Sequence, residues 1–213
     1  MAYDLEEQEK LDAIKQWWGR YGTPILSAAA IVLAVFAGWR GWQWYENHRA
    51  SQAMGYFEAL EDAARHSGDD STARLKAAAR TLREDFAGTA YAARGALVAA
   101  QALQERKDLD AAREQLEWVA KGKDPALAAV ARLRLAGLLL DQKQYDQALG
   151  QLANPPQAFA ALFEDRRGDV LAAQGKADEA RKAWESALQT MGSEHPLAPV
   201  VQLKLDALSG AQS

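Results

Sequence analysis

Nineteen consecutive residues from Tyr21 to Trp39, YGTPILSAAAIVLAVFAGW, carry no charge and are bracketed by Arg20 and Arg40. As a helix rising ~1.5 Å per residue, the run reaches roughly 28 Å, close to the thickness of a bilayer's hydrocarbon core. Trp17 and Trp18 stand before it, while Trp39, Trp42, Trp44 and Tyr45 close and follow it. Rings with an apolar body and a polar edge belong at the two headgroup levels, and Arg20 and Arg40 are charged stops beside them. All eight residues are therefore expected membrane-interface anchors, with lipid as their partner. Pro24 falls in the expected first turn, where its missing N–H is tolerated.

Two other readings meet objections. Val35-Phe36-Ala37 resembles a small-residue cleavage site, but residues 1–20 contain Asp4, Glu6, Glu7, Glu9 and Asp12, which is acidic for a signal peptide's leading region. A buried core helix would have no use for an aromatic belt. We read residues 21–39 as an uncleaved anchor and 1–20 as a cytoplasmic tail. Lys10, Lys15 and Arg20 against Arg40 and Arg49 give a slight positive-inside bias in that direction. The soluble part is then expected outside the cytoplasm.

After the anchor the chain is rich in Ala, Leu, Glu, Gln, Lys and Arg, all strong helix formers, and poor in Val, Ile and Thr runs. The expected fold class is all-α: one N-terminal transmembrane helix followed by a tetratricopeptide-like helical-hairpin solenoid. Three segments carry the solenoid pattern, at 93–120, 129–155 and 161–187. Their anchor alanines Ala112, Ala148 and Ala180 are 36 and 32 residues apart, around the 34-residue period of such hairpins. Each segment turns on a short polar triplet: Arg106-Lys107-Asp108, Gln142-Lys143-Gln144 and Gln174-Gly175-Lys176. Leu116, Leu152 and Trp184 lie four residues after the anchors and so share their face. Asp124-Pro125 reads as an N-cap with the first helical residue, and Asn154-Pro155-Pro156 as a stop. Residues 40–88 are expected to hold juxtamembrane helices and the first part of the repeat domain. They include a stripe of Ala53, Phe57, Leu60 and Ala64, and a helix over 69–87 capped by Asp70 or Ser71. Repeats with a C-terminal capping helix fill 89–208, and 209–213 is expected to be a disordered tail.

Chemistry is harder to find. The absence of cysteine removes disulfides, thiolate metal sites and thiol nucleophiles. His48, His66 and His195 are isolated, so neither a metal site nor any cofactor is expected. Phosphate-loop, nucleophile-elbow and zinc-protease motifs are missing, which argues against an enzyme. Basic and acidic residues after position 40 number 21 and 24, interspersed, without the basic face that nucleic acid requires.

A protein-binding groove is the remaining candidate. If the first helices of the hairpins line it, Val130, Leu133, Gly137 and Leu140 form an apolar strip in the second hairpin. Arg94, Leu97, Gln101 and Glu105 would extend the strip on one side, and Asp165 and Asp169 on the other. The same leucines serve equally well as inter-hairpin core, because helix 129–141 is apolar nearly all round. Arg166-Arg167-Gly168-Asp169 fits hairpin packing, with Gly168 at the small position. Gly38 and Gly41 would admit a close helix neighbour in the membrane.

The acidic tail with its Trp pair, GWRGW (38–42), AYAARGALVAAQ (90–101), LRLAGLLLDQKQYDQAL (133–149), RRGDVLAAQGKADEARKAWESAL (166–188) and QLKLDAL (202–208) run nearly end to end. In that order, behind the anchor, they resemble the YfgM family of ancillary subunits of the bacterial SecYEG translocon. The resemblance implies an inner-membrane protein with a periplasmic tetratricopeptide-like domain, contact with SecYEG and with the periplasmic chaperone PpiD, and a part in passing newly translocated, unfolded clients to periplasmic chaperones. An adaptor of another envelope assembly or cell-division complex is the alternative from another class, and an enzyme with an unrecognised site is a third.

Overall fold

The polar triplets adopt the same backbone three times. A computed structural model of the protein describes the backbone of residues 2–210 and the side chains of 9–208. In the first turn Lys107 takes φ 64°; its N–H bonds the Gln104 carbonyl and that of Asp108 bonds Leu103. Lys143 at φ 58° and Gly175 at φ 78° repeat the pattern through Leu140 and Leu139, then Ala172 and Leu171. These paired bonds close a helix with a left-handed residue just past its end, satisfying carbonyls that the helix leaves unpaired. The next helix then opens with the N–H of Ala112, Ala148 or Ala180 bonding the third triplet residue.

The helices so delimited are α1 (Ala2–Arg65), α2 (Asp69–Asp85), α3 (Ala90–Glu105), α4 (Leu109–Ala120), α5 (Pro125–Asp141), α6 (Tyr145–Gln151), α7 (Ala160–Ala173), α8 (Ala177–Met191) and α9 (Ala198–Gly210), with a 3-10 turn at Gln157–Phe159. No strand occurs among the described residues. The chain divides into two compact units, Met1–Ser51 and Gln52–Ser213. In the first, Pro24 lies well inside α1 rather than in its first turn, because the helix-forming residues upstream carry the helix back to Ala2. Helix α9 runs to Gly210, and residues 211–213 of the expected tail lie outside the described residues.

The second unit is built from helix pairs: α3 with α4, α5 with α6, α7 with α8, and α9 closing on α8. Ala112, Ala148 and Ala180 are wholly buried, and Leu116, Leu152 and Trp184 nearly so. Small residues at these crossings let axes approach toward the ~8 Å limit, and the bulky residue one turn on fills the space beyond. A further pair precedes these. Ala53, Leu60 and Ala63 from the end of α1 are buried in one core with Leu75, Ala79 and Leu82 of α2. The expected stripe is thus present, with Phe57 and Ala64 half-buried at its edge. Each fully buried leucine contributes about 1.5–3 kcal/mol of burial free energy. Gly95 is where α3 crosses both: a Cβ there would come within 2.8 Å of Leu82.

Caps differ in part from expectation. Asp124 accepts the N–H groups of Ala126 and Leu127, with Pro125 as the first helical residue. Helix α2 starts instead at Gly68, whose carbonyl takes the Thr72 N–H, and Ser71 bonds back to the Ser67 carbonyl. Neither Asp70 nor Ser71 caps it, since Gly68 at φ 121° turns the chain one step earlier. Two arginines finish helix ends from a distance. Arg106 donates to the carbonyls of Ala63 and His66, both at 2.7 Å, and of Ala64 at 3.2 Å, closing α1. Arg132 donates to the carbonyls of Gln151, the last residue of α6, and of Ala153 and Asn154 beyond it, while stacking over Phe163 at 5.1 Å. Cations at helix C-termini meet the negative end of the dipole as well as the orphan carbonyls.

Candidate functional site

Two surfaces stand out, one in each unit. In the first, Ile31, Val32, Leu33 and Val35 are each about two-thirds exposed, and Ile25, Leu26 and Phe36 are exposed beside them. The helix is long and apolar enough to cross a membrane, with only 6% of its most apolar window buried inside the protein. A core helix would be mostly covered, so water is the wrong solvent for this face. Aromatic clusters mark its two ends. Trp17 lies 6.3 Å from Trp18 and 5.7 Å from Tyr21 between ring centres. At the other end Phe36 meets Trp39 edge-on, Trp42 meets Tyr45, and Trp44 stacks on His48 at 5.5 Å. Arg49 covers the Tyr45 ring at 5.8 Å. The rings therefore occur as local groups on one helix, and at the C-terminal end His48 and Arg49 meet them on the side away from the apolar run.

In the second unit the first helices α3, α5 and α7 lie side by side. Of the expected groove residues, Arg94, Gln101 and Glu105 are exposed on α3, with Gln101 donating to Glu105 at 3.1 Å. Leu97 is buried. Val130, Leu133 and Leu140 of α5 are half-buried against the main core, so they serve packing as well as surface, and Gly137 is half-buried among them. Asp165 and Asp169 are used elsewhere. Lys204 of α9 reaches both, at 2.6 and 2.7 Å, and the Trp184 indole N–H donates to the Asp165 carbonyl and the Asp169 carboxylate. Both carboxylates thus fasten the closing helix to α7. Gly168 allows this, because a Cβ there would overlap the Trp184 indole.

Arg134 and Arg166 were not among the expected groove residues. Arg134 is exposed, donates to the Leu97 carbonyl at 3.3 Å, and borders a cleft with Ala100, Gln101, Gln104 and Leu116. Arg166, 40% exposed, lies beside Gly137 and holds Asp169 at 3.4 Å. A signal for them exists in the sequence: 134 and 166 are 32 apart, the same interval as Ala148 and Ala180. Shared register, rather than residue type, marks both as facing the preceding first helix.

Elsewhere in this unit, α2 is joined to α4 and its N-cap by charge pairs: Arg83 to Glu114 at 2.7 Å, and Lys76 to Asp108. The Lys76 ammonium bonded to it holds the Asp108 carboxyl below its ordinary pKa; partial burial opposes this and the Ala111 N–H assists it. No cluster of acidic or histidine side chains fit for a metal occurs among the described residues.

An apolar span exposed along nearly its whole length, ahead of a stack of helix pairs, defines a protein of the membrane-anchored repeat-scaffold class. A family model described as a tetratricopeptide repeat-like domain matches residues 15–210. The ancillary SecYEG translocon subunit of Neisseria gonorrhoeae is 35% identical over 213 residues, covering 98% of this chain and 100% of that protein. Its counterparts in Escherichia coli and Haemophilus influenzae are each 28% identical, over 95% and 89% of this chain and 97% and 92% of their own. The chain belongs to this family of ancillary SecYEG translocon subunits. No solved structure matches it.

Proposed function

We propose that this chain is a tethered scaffold of the bacterial inner membrane, its N-terminus cytoplasmic and its repeats periplasmic. In this reading it sits with the SecYEG translocon and the chaperone PpiD and helps hand newly translocated proteins to periplasmic chaperones. The observation that carries the reading is the near full-length match to proteins bearing the translocon-subunit name. The exposed apolar span supports the tether, and Lys10, Lys15 and Arg20 before it support the orientation. One anchor on the same bilayer as a partner raises effective concentration, so weak contacts of the repeats suffice.

Mild detergent extraction of the tagged full-length protein is expected to recover translocon components together with PpiD. Deleting 89–208 is expected to remove at least the soluble contacts while the anchor stays in the membrane. Recovery of a different envelope or cell-division complex, without translocon components, would transfer the scaffold to that assembly. Orientation is read separately by protease added to spheroplasts: the repeats should be digested and an N-terminal tag protected.

A further inference from the structure

Arg134 and Arg166 occupy equivalent places on α5 and α7, and each reaches back across the preceding first helix: Arg134 to the Leu97 carbonyl, Arg166 to Gly137. Their electrostatic surroundings are unusual for this protein, in which most arginines of the second unit are tied to a carboxylate or to a helix end. Arg134 has no carboxylate within ion-pair distance among the described residues, and its one bond is to a neutral carbonyl. Arg166 shares Asp169 at 3.4 Å with Lys204, which takes the other carboxylate oxygen at 2.7 Å. Arg94, exposed on α3, has no partner among the described residues either. Glu105 on α3, which accepts from the Gln101 amide, and Asp141 on α5 lie at the C-terminal ends of those helices. The cleft beside Arg134 adds two carboxamides, Gln101 and Gln104, over the apolar floor of Ala100 and Leu116.

A guanidinium with no carboxylate on its fork, beside the Gln104 amide and an apolar floor, is complementary to a carboxylate carried on a chain. We infer that the α3–α5–α7 face anchors an acidic peptide segment of a partner protein, one carboxylate on Arg134 in the Gln101–Gln104 cleft and a second on Arg166. The inference rests on the scaffold reading above and names the chemistry of what that scaffold holds. Neighbouring helix axes lie ~10 Å apart. An extended chain advances ~3.3 Å per residue, so acids three residues apart in the ligand span the two arginines. Glu105 and Asp141 set a direction, favouring basic residues at the end of the segment that lies over the C-termini of α3 and α5.

The test uses the full-length protein in detergent micelles and a fluorescein-labelled dodecapeptide with two glutamates three residues apart. Polarisation should report saturable binding that weakens with added salt. Arg134→Gln should weaken it by about tenfold or more, the loss usual for one charged partner of a hydrogen bond, and Arg166→Gln by less. Arg80→Gln, on the exposed side of α2, should leave it unchanged. A peptide with glutamines in place of the glutamates should not compete. Equal binding of that peptide, equal loss in Arg80→Gln, or no saturation at millimolar peptide overturns the inference, as does polyphosphate binding as tightly as the glutamate peptide. Circular dichroism of each variant separates a lost site from a lost fold. Translocon recovery with the same Arg134→Gln protein keeps the two readings apart: intact recovery with failed peptide binding removes the acidic-segment assignment alone.

Discussion

The stack up to α5 and the module from α7 to α9 share a backbone plan but are held by different chemistry. Upstream, leucines and alanines from α1 to α6, joined by Phe163 and Val170 from the near face of α7, form one continuous core, and charges act at its margins, as Arg106 does on the end of α1. Downstream, a smaller core of Leu171, Ala180, Ala183, Trp184, Ala187 and Val201 is supplemented by Lys204 on two carboxylates, with its ammonium 5.9 Å from the Trp184 ring. The repeat therefore fixes geometry and leaves adhesion free to vary. An aliphatic core resists local change, because many residues share the load. A module centred on one indole concentrates it.

Trp184→Ala should expose that contrast most strongly. Losing the indole together with its two hydrogen bonds should cost about 3–5 kcal/mol, read as a lower urea midpoint. Amide exchange should speed in α8 and α9 while α3 and α5 keep their protection; uniform loss of protection would mean that the two regions unfold as one. Arg106→Ala tests the upstream margin. Three carbonyls would lose their donor, for about 2–3 kcal/mol, with exchange rising at residues 60–66 and in early α2.

The turns should respond by sign. Lys107→Gly and Lys143→Gly should each stabilise by about 0.5–1 kcal/mol, because glycine takes positive φ without strain, whereas Gly175→Ala should cost about 1 kcal/mol. Melting temperatures of the three variants decide it, and equal signs would break the equivalence of the turns. The smallest effect belongs to pH. With its folded pKa lowered, Asp108 adds stability above the ordinary carboxylate range near ~4 and loses it as pH falls through that range to the folded value. Asp108→Asn keeps a cap but not the charge. Its deficit should be a few tenths of a kcal/mol at neutral pH, the lysine partner being about half exposed, and should vanish once pH falls below the folded value.

Much of this was legible beforehand. Ala112, Ala148 and Ala180 fixed the register because small residues at crossings recur with the hairpin, and the polar triplets located the turns to the residue. The long apolar helix was legible from the uncharged run Tyr21 to Trp39 and the rings around it. The groove was less so. Extending the first-helix stripe pointed to Asp165 and Asp169, yet both serve Lys204, a partner 39 and 35 residues downstream whose approach no local pattern encodes. Arg134 and Arg166 required the opposite move, comparing equivalent positions rather than looking for a stripe. Pro24 was misplaced because the upstream helix-forming tail extends α1 beyond the apolar run.

Arg106 also imposes an order on events. The carbonyls it binds lie 40 to 43 positions earlier in the chain. During synthesis from the N-terminus they keep water as their partner until Arg106 emerges. The opening layer is thus completed by its successor, and a nascent chain interrupted before that point carries an unfinished edge toward the solvent.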